Sequence, residues 1–103
     1  MRESKIERYF MQQVMLAGGD TRKLRYFAAP DRMAIWPTSR YPAGSLIREF
    51  CASIHFVELK SPTGKVRVRQ RREHDRLRAL GCKVFVLYTK PQIDDYITRL
   101  RHV

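Results

Sequence analysis

Apolar residues recur at every fourth position near the start of the chain: Ile6, Phe10 and Val14, with polar residues between them. That spacing predicts a helix from Ser4 to about Leu16, ended by Gly18-Gly19. Ser4 followed by Glu7 has the form of a capping box. The pattern then shortens. Leu24 to Ala28 and Arg32 to Trp36 read as two strands around a Pro30-Asp31 turn. Pro37 to Gly44 holds two prolines and a glycine and reads as a loop. Ser45 to Ala52 reads as a short helix capped by Ser45, with Leu46, Ile47, Phe50 and Cys51 at helical spacing.

Alternation returns at Ile54 to Lys60, a strand with His55, Val57 and Leu59 on one side and Glu58 and Lys60 on the other. Ser61 to Lys65 is a turn. Arg67 to Leu80 is a strongly basic helix stopped by Gly81. Val84 to Tyr88 is an unbroken apolar run, which suits a buried central strand. Pro91 opens a last helix to about Leu100, with Ile93, Ile97 and Leu100 inward. Neither a repeat nor a low-complexity tract divides the chain. The expected fold is α/β: a single domain spanning 1–103, with a small mixed sheet flanked by helices.

Length and charge narrow the partner. The 103 residues are 44% hydrophobic, enough for one modest core. Twenty-one basic against 10 acidic residues leave a net charge of +11. Such an excess predicts a densely negative partner, with nucleic acid ahead of an acidic membrane. No apolar run approaches the ~18 residues of a membrane span, and the start does not read as a signal peptide. Cys51 and Cys82 offer neither a disulfide framework nor the paired spacing of a zinc site. Both read as reduced core residues of a cytoplasmic protein. His55, His74 and His102 share no metal-ligand spacing and read as structural, although His74 lies one turn after Gln70.

The chemistry concentrates in Glu58 and Lys60. A carboxylate and an ammonium on one strand face suit a metal ligand beside a water-activating or phosphate-binding group, and suit a surface ion pair equally. Asp31 is either a turn residue or a second carboxylate pointing into the same site. Gln70 shares a helix face with His74 and Leu77, and is either a satisfied polar residue or one aimed at a ligand.

Taken in order, Pro30-Asp31, Glu58-Leu59-Lys60, Gln70 and a Leu-Gly before an apolar strand resemble the PD-(D/E)XK nuclease superfamily. Within it, the chain resembles the VRR-NUC family of virus-type replication–repair nucleases, in its short stand-alone, phage-type form. The resemblance runs from the helix carrying Glu7 to Leu87. It departs in Arg32-Met33 and in the long segment from Pro37 to Ala52. It implies a restriction-endonuclease-like core and a metal-dependent endonuclease acting on branched DNA, such as four-way junctions or flaps. Asp31, Glu58 and the Leu59 carbonyl would then hold Mg²⁺ or Mn²⁺. The resemblance implies that Glu7 on the first helix joins them, although the capping box with Ser4 accounts for Glu7 equally well. Lys60 would position the water or the scissile phosphate, since the neighbouring carboxylates oppose its acting as a base. Gln70 would contact Lys60, the water or a phosphate.

Lys65, Arg67, Arg69, Arg71 and Arg72, with Arg76 and Arg78 further on, supply candidate DNA contacts, the first three ahead of the rest. Tyr26, Trp36 and Tyr41 have rings able to stack on bases; Tyr26 and Trp36 read rather as core or dimer contacts. Cutting both strands of a junction needs two sites, so a homodimer is expected, through the Val14 to Leu16 end of the first helix and the Tyr41 loop. Two other readings compete. A non-catalytic nucleic-acid-binding module explains the charge but not the Asp31, Glu58, Lys60 and Gln70 set. A sequence-specific restriction enzyme lacks room here for a base-reading domain.

Overall fold

The computed structural model describes residues 2–37 and 54–101. The elements run α1 (Glu3–Leu16), β1 (Asp20–Lys23), β2 (Arg32–Ile35), β3 (Ile54–Leu59), α2 (Val68–Ala79), β4 (Lys83–Leu87) and α3 (Lys90–Arg101). The four strands form one mixed sheet in the order β1-β2-β3-β4. The first three pair antiparallel, and β4 runs parallel to β3 after the α2 crossover.

The four-residue spacing in α1 does what it predicts. Ile6, Phe10 and Val14 are buried and meet Val57 and Leu59 of β3 and Ile93, Tyr96 and Ile97 of α3. Burying Phe10 alone contributes about 2–3 kcal/mol. Helix α1 starts two residues earlier than its Ser4-Glu7 pair implies. The N-cap is Arg2, so Ser4 lies inside the helix and no capping box forms. Gly18, at φ 93°, takes the left-handed conformation that ends α1. At Gly19 a side chain would collide with Trp36 at 2.8 Å, so only glycine lets the helix end meet β2.

Two strand assignments shift. The first strand of the hairpin is β1, not Leu24 to Ala28, which is the connection. Thr21 is the residue β1 buries, while Arg22 and Lys23 stay exposed, so its apolar content gives little sign of a strand. The Val84 to Tyr88 run is not the centre of the described sheet. β2 and β3 are its inner strands, and β4 lies at the edge with Val84 and Leu87 buried. Helices packed against β4 explain its apolar run: α2 adjoins it, and Leu87 joins the α1–α3 core.

Alternation along β3 holds. His55, Val57 and Leu59 are buried towards α1 and α3, while Glu58 meets His74 of α2 on the other side. Trp36 is a core residue whose Nε1–H donates to the Tyr96 hydroxyl at 3.0 Å. Thr89 Oγ1 accepts from Gln92 N–H at 3.2 Å, capping α3 just ahead of Pro91. Cys82 is a free thiol. Most of the Pro37 to Gly44 loop, the Ser45 to Ala52 helix, Tyr41, Cys51 and His102 lie outside the described residues.

Candidate active site

Register brings the two carboxylates together. Arg32 of β2 pairs with Val57 of β3, so the next step of the ladder sets Asp31 opposite Glu58. Cross-strand residues share a sheet face, and like charges there repel. Asp31 is fixed from the backbone: its Oδ2 accepts the Leu59 N–H at 2.7 Å. That bond ties the Pro30-Asp31 turn to the Glu58-Leu59-Lys60 strand across 28 residues of sequence.

Glu58 is fully buried. Its Oε1 lies 3.2 Å from Nε2 of His74, itself 2% exposed. Its Oε2 has no hydrogen-bond partner among the described residues, and the Lys60 ammonium stands 3.9 Å away. Burial, then the neighbouring Asp31 carboxylate, raise the Glu58 pKa to about 8, against the opposing pull of Lys60. Burial, then the charge of Arg78, lower the pKa of His74, and its Nε2 shares a buried hydrogen bond with Oε1.

Ionised, a buried carboxylate oxygen with no donor is costly, which is why the Glu58 carboxyl keeps its proton up to about pH 8 in the absence of a cation. Asp31 and Glu58 present hard oxygen donors of the kind that Mg²⁺ and Mn²⁺ prefer. The fit is to an ion held by few protein ligands. No group of three or more His, Cys, Asp or Glu poised for a metal occurs among the described residues. An ion here would complete its shell with water and phosphate oxygens, as Mg²⁺ ordinarily does.

Asp31, Lys60 and Gln70 line one cleft of about 510 Å³ together with Glu3, Lys23, Tyr26, Phe27, Arg67 and Arg69. Gln70 sits in the first turn of α2, where its Oε1 accepts the Arg67 N–H at 2.9 Å. That bond caps the helix and fixes the amide at the cleft.

The first-helix glutamates divide differently from the expectation. Glu7 does not line the cleft. Its Oε2 accepts from Lys23 Nζ and Arg32 Nε at 2.9 Å each, on the α1 side of the sheet. Those two cations hold its pKa down against the effect of burial. Glu3, one turn earlier, lines the cleft and adds to the repulsion on Glu58. Glu3 and Glu7 lie one helical turn apart, and nothing in the sequence marked Glu3 as the one to reach the cleft.

The basic side chains also separate. Lys65, Arg67, Arg69, Arg71 and Arg72 are all exposed. Arg67 and Arg69 line the cleft that holds Asp31 and Lys60, while Lys65 and Arg71 line a second one with His74 and Arg78. Arg76 is paired with Glu73 at 3.0 Å, and Arg78 donates to the Val84 carbonyl at 3.0 Å. His74 read as structural, with its place one helical turn after Gln70 as the signal that it could touch the site, and it does meet Glu58. Phe27 was passed over, and nothing in the sequence marked it.

No family model matches the chain, and no curated protein matches it. Among solved structures it is similar to a VRR_NUC domain, with a TM-score of 0.72 and 33% identity over 93% of this chain and 94% of that one. The chain belongs to the VRR-NUC family. Its mixed four-stranded sheet with flanking helices is the VRR-NUC fold. No helix among the described residues is long and apolar enough to cross a membrane.

Proposed function

We propose that this VRR-NUC chain is a divalent-metal-dependent DNA endonuclease of the PD-(D/E)XK type, hydrolysing phosphodiester bonds in branched DNA. One observation carries the reading: a buried Glu58 whose Oε2 lacks a hydrogen-bond partner and lies 3.9 Å from the ammonium of Lys60, which lines a cleft with Asp31, Arg67 and Arg69. A binding module gains nothing from a carboxylate pair that costs folding stability. A nuclease does.

Asp31, Glu58 and the Leu59 carbonyl are the residues that would hold Mg²⁺ or Mn²⁺, with Glu3 the α1 carboxylate nearest to them. When bound, the ion supplies charge neutralisation at the phosphate and a water of lowered pKa. The chain's own groups do the rest. His74 orients the Glu58 carboxylate by holding Oε1, leaving Oε2 to the site. Lys60, with its ammonium close to Oε2, positions the attacking water or grips the scissile phosphate. Gln70 adds an amide at the same cleft. Arg67 and Arg69 take the flanking phosphates, and Lys65, Arg71 and Arg72 extend the track around α2.

Four-way junctions and flaps are the substrates proposed. A homodimer would supply the second site that paired junction cutting requires. Met15 and Leu16, both well exposed at the end of α1, are the described residues that fit its interface.

The test is cleavage of labelled junction, flap and plain duplex DNA in Mg²⁺ or Mn²⁺, with EDTA and Glu58→Ala as controls. The expected result is metal-dependent cutting of a branched substrate, lost in Glu58→Ala while DNA binding survives. Tight binding with no cutting in either metal would overturn the catalytic reading.

A further inference from the structure

The connection from Leu24 to Asp31 ends in an aromatic side chain that the folded protein leaves outside. Phe27 is 77% exposed at the rim of the cleft that holds Asp31 and Lys60. The guanidinium of Arg69 lies 5.4 Å from the centre of its ring. The rest of the ring faces solvent.

The loop is braced on several sides, so this exposure is built in. Leu24 N–H donates to the Asp31 carbonyl at 3.3 Å, closing its base. Ala29 N–H donates to the Tyr26 carbonyl at 3.0 Å, closing its tip. The Tyr26 hydroxyl donates to Glu73 at 2.5 Å, fastening the loop to α2. Ala28 takes φ 62°, a left-handed conformation that costs an alanine energy. Three hydrogen bonds thus hold an apolar ring in water next to the candidate active site, against the strain at Ala28.

We propose that Phe27 is a stacking platform for an unpaired nucleobase beside the scissile phosphate, with Arg69 completing the seat. Resting on the nuclease reading above, this names what in the DNA the site selects. A base inside a duplex has both faces covered by its neighbours. Only an unpaired or terminal base can offer a face to Phe27, and branch points and flaps provide such bases. Charge favours this occupant. Arg67 and Arg69, which line the cleft with the ring, are exposed cations. A nucleotide brings an apolar face and a negative phosphate together, whereas a second +11 chain would bring the same cations face to face.

Binding in EDTA tests this without cutting. A flap substrate carries 2-aminopurine at the unpaired nucleotide next to the branch, and a control duplex carries it paired. The wild type is expected to bind the flap probe and quench its fluorescence. Phe27→Ala should lose about tenfold in affinity for the flap probe, with the quench, while affinity for the paired duplex holds. Phe27→Trp should restore both, and matching melting curves exclude a folding defect. Equal loss on both probes, or no loss on either, overturns the proposal. So does conversion of a dimer to a monomer by Phe27→Ala in light scattering, which would make the ring a contact between copies. A Phe27-dependent quench in a protein that cuts nothing in Mg²⁺ or Mn²⁺ would sink the nuclease reading and leave the platform standing. Cutting that survives with no Phe27 effect on binding would do the reverse.

Discussion

Glu7 and Glu58 are the same residue in opposite electrostatic settings, on the two faces of one sheet. Glu7, on the α1 side, lies between Lys23 and Arg32, which hold its pKa down. Glu58, on the α2 side, is pressed towards Asp31 and away from water, and its pKa climbs to about 8. The division comes from β2. Arg32 and Asp31 are adjacent in sequence, so strand alternation sends the cation to one face and the carboxylate to the other. A slip of one residue in that register would put Arg32 beside Glu58 and neutralise it. The glutamate with good partners supports the fold; the one denied them is free for chemistry.

The sharpest break of this comparison is paired substitution. Glu58→Gln should lower metal-dependent cutting by about a thousandfold, judged against single electrostatic groups at other active sites. Glu7→Gln should leave cutting largely in place and lower stability by about 1 kcal/mol, read from urea denaturation. Equal losses of cutting would mean that the two carboxylates share one role. His74→Ala comes next. Freeing Oε1 should cost about 10–100-fold in cutting or in Mn²⁺ affinity, as for other groups that orient a ligand. Mn²⁺ titrated against the melting temperature would separate that loss from misfolding.

Smaller, and opposite in sign, is the effect on the metal-free protein. Glu58 titrates near pH 8 when folded, against a carboxylate's usual 4.5. Between those values the folded state keeps a proton that the unfolded chain has released. The corresponding stability is fully present below the unfolded pKa and is lost as pH rises through the folded one. In EDTA at pH 9, Glu58→Gln should therefore melt higher than the wild type, by about 5 °C or more, and the gain should vanish at pH 4. A pH-independent difference would mean that Glu58 is ionised throughout. The smallest effect belongs to the rim. Arg67→Ala should reduce the salt slope of DNA binding by about one unit on every DNA tested, because it touches phosphate alone. A substrate-dependent change would give it a part in selection.

Most of the fold was legible because its signals are local. The four-residue stripe of α1, the alternation of β3 and the glycine stops each depend on neighbours within a few residues. β1 was not, because Asp20–Lys23 is polar and is made a strand by pairing with β2. The capping box failed at Ser4 because the helix found an earlier start at Arg2, and because Lys23 and Arg32 draw Glu7 to the sheet.

The sequence by itself determined the chemistry present: an acidic turn, a Glu-x-Lys strand, a helix glutamine and a large excess of cations. Periodicity also assigned Glu58 and Lys60 to the strand face that Val57 and Leu59 leave. Only the tertiary structure decided which charges meet. It set Asp31 against Glu58, gave Glu7 to Arg32, brought His74 to Oε1, and left Phe27 at the rim of the cleft. The reason is that alternation tells which face a side chain takes. What stands opposite depends on strand register and helix packing, and those join residues far apart in the chain.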